Sequence, residues 1–341
     1  MAKTLISLGA NLGNPRQVIL QAGQMIANRF GEANVVFSRL YRTPAIGGPL
    51  GQDDFYNAVA TIESNKTAFE VWRNLDAIEQ SLGRQRRHRW EARYIDLDVL
   101  LHNGERHWTP TFKVPHPRMN TRTFVLEPAC EIAATWIEPV TGQSIQNLNQ
   151  SILPLRTNEN NEFETVHFVV LSEDIERTHR IAEALIAGSN RSTMEQSNAT
   201  AEISSDASNR LIVHLNHHRR ITLQPIAPLV RPNSKSQVDD LRRHLNQQIV
   251  ESQTAHPMHL LVFAGTSPDS STIHWEDYCR NWAELLGLIA SHEWTSNTTV
   301  FRSLPKYILT ADDPKWAAHE LLAAMTAMTC PIQPCGEFFD D

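Results

Sequence analysis

No apolar run in this 341-residue chain reaches membrane-spanning length, so a transmembrane helix is not expected. The first residues, Met-Ala-Lys-Thr-Leu-Ile-Ser-Leu-Gly, lack the layout of a signal peptide. Cysteine is scarce. Cys130, Cys279, Cys330 and Cys335 fit neither a disulfide framework nor a zinc spacing, and no paired Cys or His completes a metal site. A reducing, cytoplasmic compartment is the simplest expectation. Excess positive charge is missing too. With 31 Lys and Arg against 38 Asp and Glu, the net charge is −7, which argues against a general nucleic-acid binder. No Gly-Lys-Ser/Thr follows any predicted strand, so a phosphate loop is not expected.

What is present centres on residues 84–98, Arg-Gln-Arg-Arg-His-Arg-Trp-Glu-Ala-Arg-Tyr-Ile-Asp-Leu-Asp. On an extended strand, residues two apart share a face, so Asp96 and Asp98 stand side by side with Ile95, Leu97 and Val99 behind them. Neighbouring carboxylates repel unless a cation lies between them. Mg²⁺ suits that place because it takes carboxylate, phosphate and water oxygens together. The upstream arginines can clamp a polyphosphate. Metal carboxylates beside a phosphate clamp suit phosphoryl transfer. The plainer alternative is a solvated strand edge beside a solvated basic face.

The pattern around this stretch is mixed. Thr4–Leu8 reads as a strand, followed by a turn through Gly9 and Gly13, and a helix capped by Asn14-Pro15. Val35–Tyr41 and Phe55–Glu63 read as strands, separated by a Pro- and Gly-rich loop over 42–54 that suits a lid or a substrate wall. Thr67 caps a helix that Gly83 ends. Ile95–Leu101 is a further strand, and Glu127-Pro128 starts a short helix through Ala134. The order predicts an α+β ferredoxin-like sandwich over residues 1–155, with an antiparallel sheet carrying two helices on one face. A polar stretch at 156–165 reads as a linker. Over 166–341, strands at 167–171, 210–215, 221–226, 259–263 and 306–310 alternate with helices, which predicts an α/β layered domain. Gly188–Asn209 reads as a flexible excursion.

Residues 4 to about 150 resemble 6-hydroxymethyl-7,8-dihydropterin pyrophosphokinase. The resemblance is carried by Ser7-Leu-Gly-Ala-Asn-Leu-Gly13, Tyr41-Arg-Thr-Pro44, Phe55-Tyr-Asn57, Ile78-Glu79, Leu82-Gly-Arg84, Arg89-Trp90, Arg93-Tyr-Ile-Asp96-Leu-Asp98, Val114-Pro-His116 and Arg122-Thr-Phe124. It implies the ferredoxin-like fold and transfer of pyrophosphate from ATP to the pterin hydroxymethyl group, leaving AMP. It further implies Asp96 and Asp98 as ligands of two Mg²⁺ ions, and Arg84 and Arg93 as catalytic cations. Glu79, Arg84, Arg86, Trp90, Arg93, Val99, His116 and Arg122 are the implied ATP side. Thr43, Pro44, Ala45, Ile46, Phe55, Asn57, Trp90, Asp96 and Phe124 are the implied pterin side. The chain departs from the family at Pro117, where many members carry Tyr, and at Glu91-Ala92, where a Gly-Pro turn is usual.

The second half resembles nucleoside kinase domains in strand–helix order, but Leu171-Ser-Glu-Asp174 supplies neither glycines nor a lysine for a phosphate. It reads as a degenerate, non-catalytic α/β unit for regulation or partner binding. Two competing classes stand beside the enzyme. In one, the sheet binds RNA, although such sheets carry interleaved aromatics where this one carries acids. In the other, the chain is a scaffold led by its second half. The expected partners are the two small substrates, with no nucleic acid and no membrane; sequence names no protein partner.

Overall fold

The computed structural model describes residues 1–47, 49, 51–83, 92–109, 111–152, 166–172, 174–192, 202–205, 211–216, 219–225, 260–264, 306–309, 311 and 313–339, with 237, 240 and 243. The expected linker at 156–165 therefore lies outside the described residues.

The first sheet is antiparallel. Its strands are β1 (Ala2–Ala10), β2 (Val35–Phe37), β3 (Tyr41–Thr43), β4 (Phe55–Ser64) and β5 (Asp96–His102). The order β3-β4-β1-β5 places β4 and β1 in the interior, and β2 also pairs with β4. Helix α1 (Pro15–Phe30) starts as the sequence indicates: Asn14 accepts from the Gln17 amide at 3.2 Å, and Pro15 fills the first turn. Helix α2 (Ala68–Ser81) opens with a capping box between Thr67 and Glu70. Apolar stripes of both helices, including Ile19, Ile26, Val71 and Leu75, join Ile6, Leu8, Leu97 and Val99 in one buried cluster.

Two expectations need correction. The predicted strand 35–41 is two strands, because the chain leaves the sheet at Ser38–Leu40. There the Arg39 amide donates to Glu131 at 2.9 Å. The helix expected to start at Glu127 instead starts at Thr123 and runs to Ala133 as α3, with Pro128 inside it, and α4 (Ile145–Ile152) follows. Proline forfeits one helical hydrogen bond, which packing offsets here, since Val125, Leu126 and Ala129 are all buried.

The second sheet is built from β6 (Val166–Ser172), β7 (Glu202–Ser205), β8 (Leu211–Asn216), β9 (Arg219–Pro225), β10 (Leu260–Ala264) and β11 (Lys306–Ile308). Its order is β7-β8-β9-β6-β10-β11. The stretch β9-β6-β10-β11 is parallel, and β7 and β8 add antiparallel. Part of the expected 188–209 excursion is therefore structured, since helix α5 (Ile175–Ser192) continues into it and β7 pairs with β8. Helix α6 (Pro314–Met328), capped by Asp313, packs beside α5.

The two halves share one interior. Leu5, Leu100, Met119 and Val125 belong to the same buried cluster as Phe168, Val170, Leu321 and Met325. Beyond α6 the chain returns to the first sheet. Residues Gln333–Pro334 form β12, antiparallel to β3.

Candidate active site

A cavity of about 550 Å³ opens where β1, β3, β4 and β5 meet α3 and α6. Alternation along β5 decides what it sees. Leu97 and Val99 are buried against α1 and α2, while Asp96 and Asp98 turn to the other face and line the cavity. Arg93 pairs with Asp96. Glu79 reaches across from α2 and accepts the Leu97 amide at 2.6 Å, which holds the strand between the two aspartates.

His116 stands behind this pair. Its amide donates to the Leu100 carbonyl at 2.9 Å, so it is tied to β5. The Arg118 amide lies 3.1 Å from its Nδ1, which must then accept, leaving the ring proton on Nε2. That Nε2 faces Asp98 Oδ2 at 3.7 Å. Burial, then Arg122, Arg118 and Arg93, hold the ring well below its usual pKa, so it is neutral. Arg122 also feels its surroundings. Burial and the neighbouring Arg118 push it down to about 10, against the pull of Asp98 and Asp96. Its guanidinium lies 5.5 Å from the centre of the Phe124 ring.

The rest of this lining includes a set of uncharged residues. Thr43 from β3, Pro44 and Ile46 from the loop after it, Phe55 and Asn57 from β4, and Phe124 from α3 line the cavity. Asn57 donates to the Thr43 hydroxyl at 2.9 Å, which fixes its amide. Gly9 leaves room for that amide, because a Cβ there would come within 3.2 Å of Asn57 Oδ1. Tyr41 and Arg39 both bond Glu131 of α3, which locks the strand bearing Thr43 to the helix bearing Phe124.

Of the residues singled out from sequence, the cavity thus gathers Thr43, Pro44, Ile46, Phe55, Asn57, Arg93, Asp96, Asp98, Arg122 and Phe124. Glu79 and Val99 are buried outside its lining, and His116 and Ala45 are also outside it. Arg84, Arg86 and Trp90 lie outside the described residues.

Sequence reasoning passed over Asn11. Its side chain accepts the Arg93 amide at 2.7 Å and donates to the Asp53 carbonyl at 3.2 Å, so it couples the arginine segment to the loop over 42–54. The one available signal was an asparagine between two glycines just after a strand. Arg118, Tyr307 and Glu320, which also line the cavity, gave no local signal.

Chemically, the arrangement offers two carboxylates side by side, three nearby arginines, two phenylalanine rings and an amide. Among the described residues, no group of three or more His, Cys, Asp or Glu is placed to hold a metal. Two carboxylates alone suit a hard divalent cation that takes its other ligands from phosphate and water.

Residues 5–134 match the family model described as 7,8-dihydro-6-hydroxymethylpterin-pyrophosphokinase. The Haemophilus influenzae protein named 2-amino-4-hydroxy-6-hydroxymethyldihydropteridine pyrophosphokinase is 34% identical over 139 residues, 41% of this chain and 86% of that protein. The protein of the same name from Pseudomonas aeruginosa is 38% identical over 132 residues, 38% of this chain and 80% of that protein. A solved Plasmodium falciparum HPPK-DHPS structure, titled as wild type with pteroate, overlaps 79% of this chain and 65% of its own, with a TM-score of 0.36 and 11% identity. By its family-model match and these relatives, the chain belongs to the 7,8-dihydro-6-hydroxymethylpterin pyrophosphokinase family.

Proposed function

We propose that the cavity is where ATP meets 6-hydroxymethyl-7,8-dihydropterin. The chain transfers pyrophosphate from ATP to the pterin hydroxymethyl group in folate biosynthesis, and AMP leaves. The observation that carries the reading is the placement of Asp96 and Asp98 in one cavity with Phe55, Asn57 and Phe124.

The chemistry follows from the residue types. Pterin is flat and heteroaromatic, so Phe55 and Phe124 offer faces to stack on, and Asn57 with Thr43 offers donors and acceptors for its polar edge. Ala45 and Ile46 belong to the same loop. Arg93 and Arg122 meet phosphate oxygens, joined by Arg84, Arg86 and Trp90 from the segment ahead of them, while Glu79, Val99 and His116 support the nucleotide end from outside the cavity lining. Charge spreads over phosphate oxygens during transfer, so fixed cations and alignment account for most of the acceleration. Two Mg²⁺ ions held by Asp96 and Asp98 would neutralise the phosphates and align the reacting oxygens. His116, neutral with its proton on Nε2, stands 3.7 Å from Asp98 and backs that carboxylate without a direct hydrogen bond.

In this reading residues 1–155 are the catalytic, ferredoxin-like unit, and residues 166–341 form an α/β layered unit. No helix among the described residues is long and apolar enough to cross a membrane.

The test uses the full chain with MgATP and the reduced pterin, following AMP. Asp98→Asn keeps the shape and removes a ligand charge. Losing it should cost several kcal/mol of transition-state stabilisation, roughly 100-fold or more in kcat. A folded Asp98→Asn with near-native AMP release would defeat the two-carboxylate assignment. No AMP from the unaltered chain would defeat the function.

A further inference from the structure

The cavity has a wall that the matched residues 5–134 do not supply. Tyr307 of β11 and Glu320, Ala323, Ala324 and Ala327 of α6 line it from the far half of the chain. Glu320 is only 3% exposed, and its two oxygens are fixed independently. The Tyr307 hydroxyl donates to Oε1 at 2.5 Å, and the Ala311 amide donates to Oε2 at 3.0 Å. Arg118 Nε approaches Oε1 at 3.4 Å. The carboxylate is thus a rigid anchor, and the arginine is the partner held by it.

Arg118 is well placed to meet an anion. It lines the same cavity as Arg93 and Arg122, and all three act on His116 behind Asp98. Three guanidiniums converging without a bound anion repel one another. A buried carboxylate behind one of them offsets that repulsion and keeps it pointed inward.

We propose that Arg118 is a further phosphate-binding residue for ATP, and that Glu320 is its positioning residue, so that the C-terminal half completes the nucleotide end of the active site. This rests on the pyrophosphokinase reading above. Tyr307 and the Ala311 amide hold Glu320 before substrate arrives. Arg118 therefore meets the phosphates already oriented, without losing side-chain freedom at that moment. The small side chains of Ala323, Ala324 and Ala327 leave the cavity open beside it.

The sign of one effect separates this from simple electrostatics. Removing a negative charge beside a phosphate site should tighten ATP binding if Glu320 is only a neighbouring charge. It should weaken binding if Glu320 positions Arg118. The experiment uses the full chain. It measures the Kd of a non-hydrolysable ATP analogue by calorimetry, and the KM values for MgATP and the pterin from AMP release. Arg118→Ala should weaken analogue binding and raise the MgATP KM about 10-fold or more, the usual scale of a charge-assisted hydrogen bond, with the pterin KM within about 2-fold. Glu320→Gln should weaken analogue binding several-fold, and Arg118→Ala/Glu320→Gln should be no worse than Arg118→Ala alone. Tyr307→Phe, which frees one anchor and keeps the charge, should shift the same constants in the same direction should Glu320→Gln fail to fold. Unchanged analogue affinity in Arg118→Ala overturns the proposal, as does tighter binding in Glu320→Gln or losses that multiply in the double variant. Absence of AMP from the unaltered chain would instead strike the pyrophosphokinase reading.

Discussion

Cutting Phe338 back to alanine tests whether the returning tail is part of the catalytic half. The ring is 4% exposed and stacks on Phe37 of β2 with centroids 4.1 Å apart. It also fills the space over Gly23 in α1, where a Cβ would come within 2.3 Å of its Cε1. The neighbouring backbone is tied as well: Leu40 N donates to Gly336 O at 2.9 Å and Cys335 N donates to Leu40 O at 2.8 Å. A buried Phe→Ala change costs about 3–5 kcal/mol, of which stacking accounts for about 1 kcal/mol. Phe338 lies outside helix and strand, after β12, so the lower end, about 3 kcal/mol, is expected. Urea unfolding of the full chain, followed by tryptophan fluorescence, reads this as a lowered midpoint. Because β12 pairs with the strand that leads into Thr43 and Pro44, the pterin KM should rise too. Gly23 supplies a control. Gly23→Ala alone should destabilise by about 1–3 kcal/mol through overpacking. In the Phe338→Ala background the clash is gone, and the same change should become neutral or gain up to about 1 kcal/mol from helix propensity. A loss below about 1 kcal/mol for Phe338→Ala, or additive effects in the pair, would refute the docking argument.

Two other measurements follow from buried groups. Burial pushes Lys306 down to about 7, so between there and its ordinary 10.5 the unfolded chain holds a proton that the folded chain has released. Stability should rise with pH across that window and carry the full penalty below it. Lys306→Met should flatten the slope and add a few kcal/mol at neutral pH, and an unchanged slope in denaturant titrations would count against it. Glu79→Ala leaves the buried Leu97 amide without this acceptor, at about 1–3 kcal/mol, and should lower kcat because Asp96 and Asp98 flank that amide. Full activity with an unchanged melting temperature would contradict this positioning role.

Local chemistry made parts of the fold readable. Asn14-Pro15 and Thr67 announced α1 and α2, and two-residue spacing was enough to put Asp96 and Asp98 on one face. What escaped the reading depended on distant partners. Nothing near Arg39 says that Glu131 draws the chain off the sheet there. Pro128 looks like a helix start, and only the packing of α3 against the sheet moves that start back to Thr123. Glu79 sits on a helix stripe like any surface acid, and its inward turn depends on an amide 18 positions later. The alanines of α6 read as ordinary helix formers, and their place beside Arg118 is a matter of topology.

Arg118 and Glu320 are 202 positions apart. A chain synthesised from its N-terminus presents the aspartates, the aromatic pocket and Arg118 long before Glu320 exists to meet them. Closing so long a loop is entropically costly and slow compared with forming local helices. During synthesis the first sheet thus waits with one side of its cavity open and its β3 edge unpaired, a surface that invites wrong strands. Glu320 and β12 cover both, so the cavity is closed only once the second half of the chain has been made.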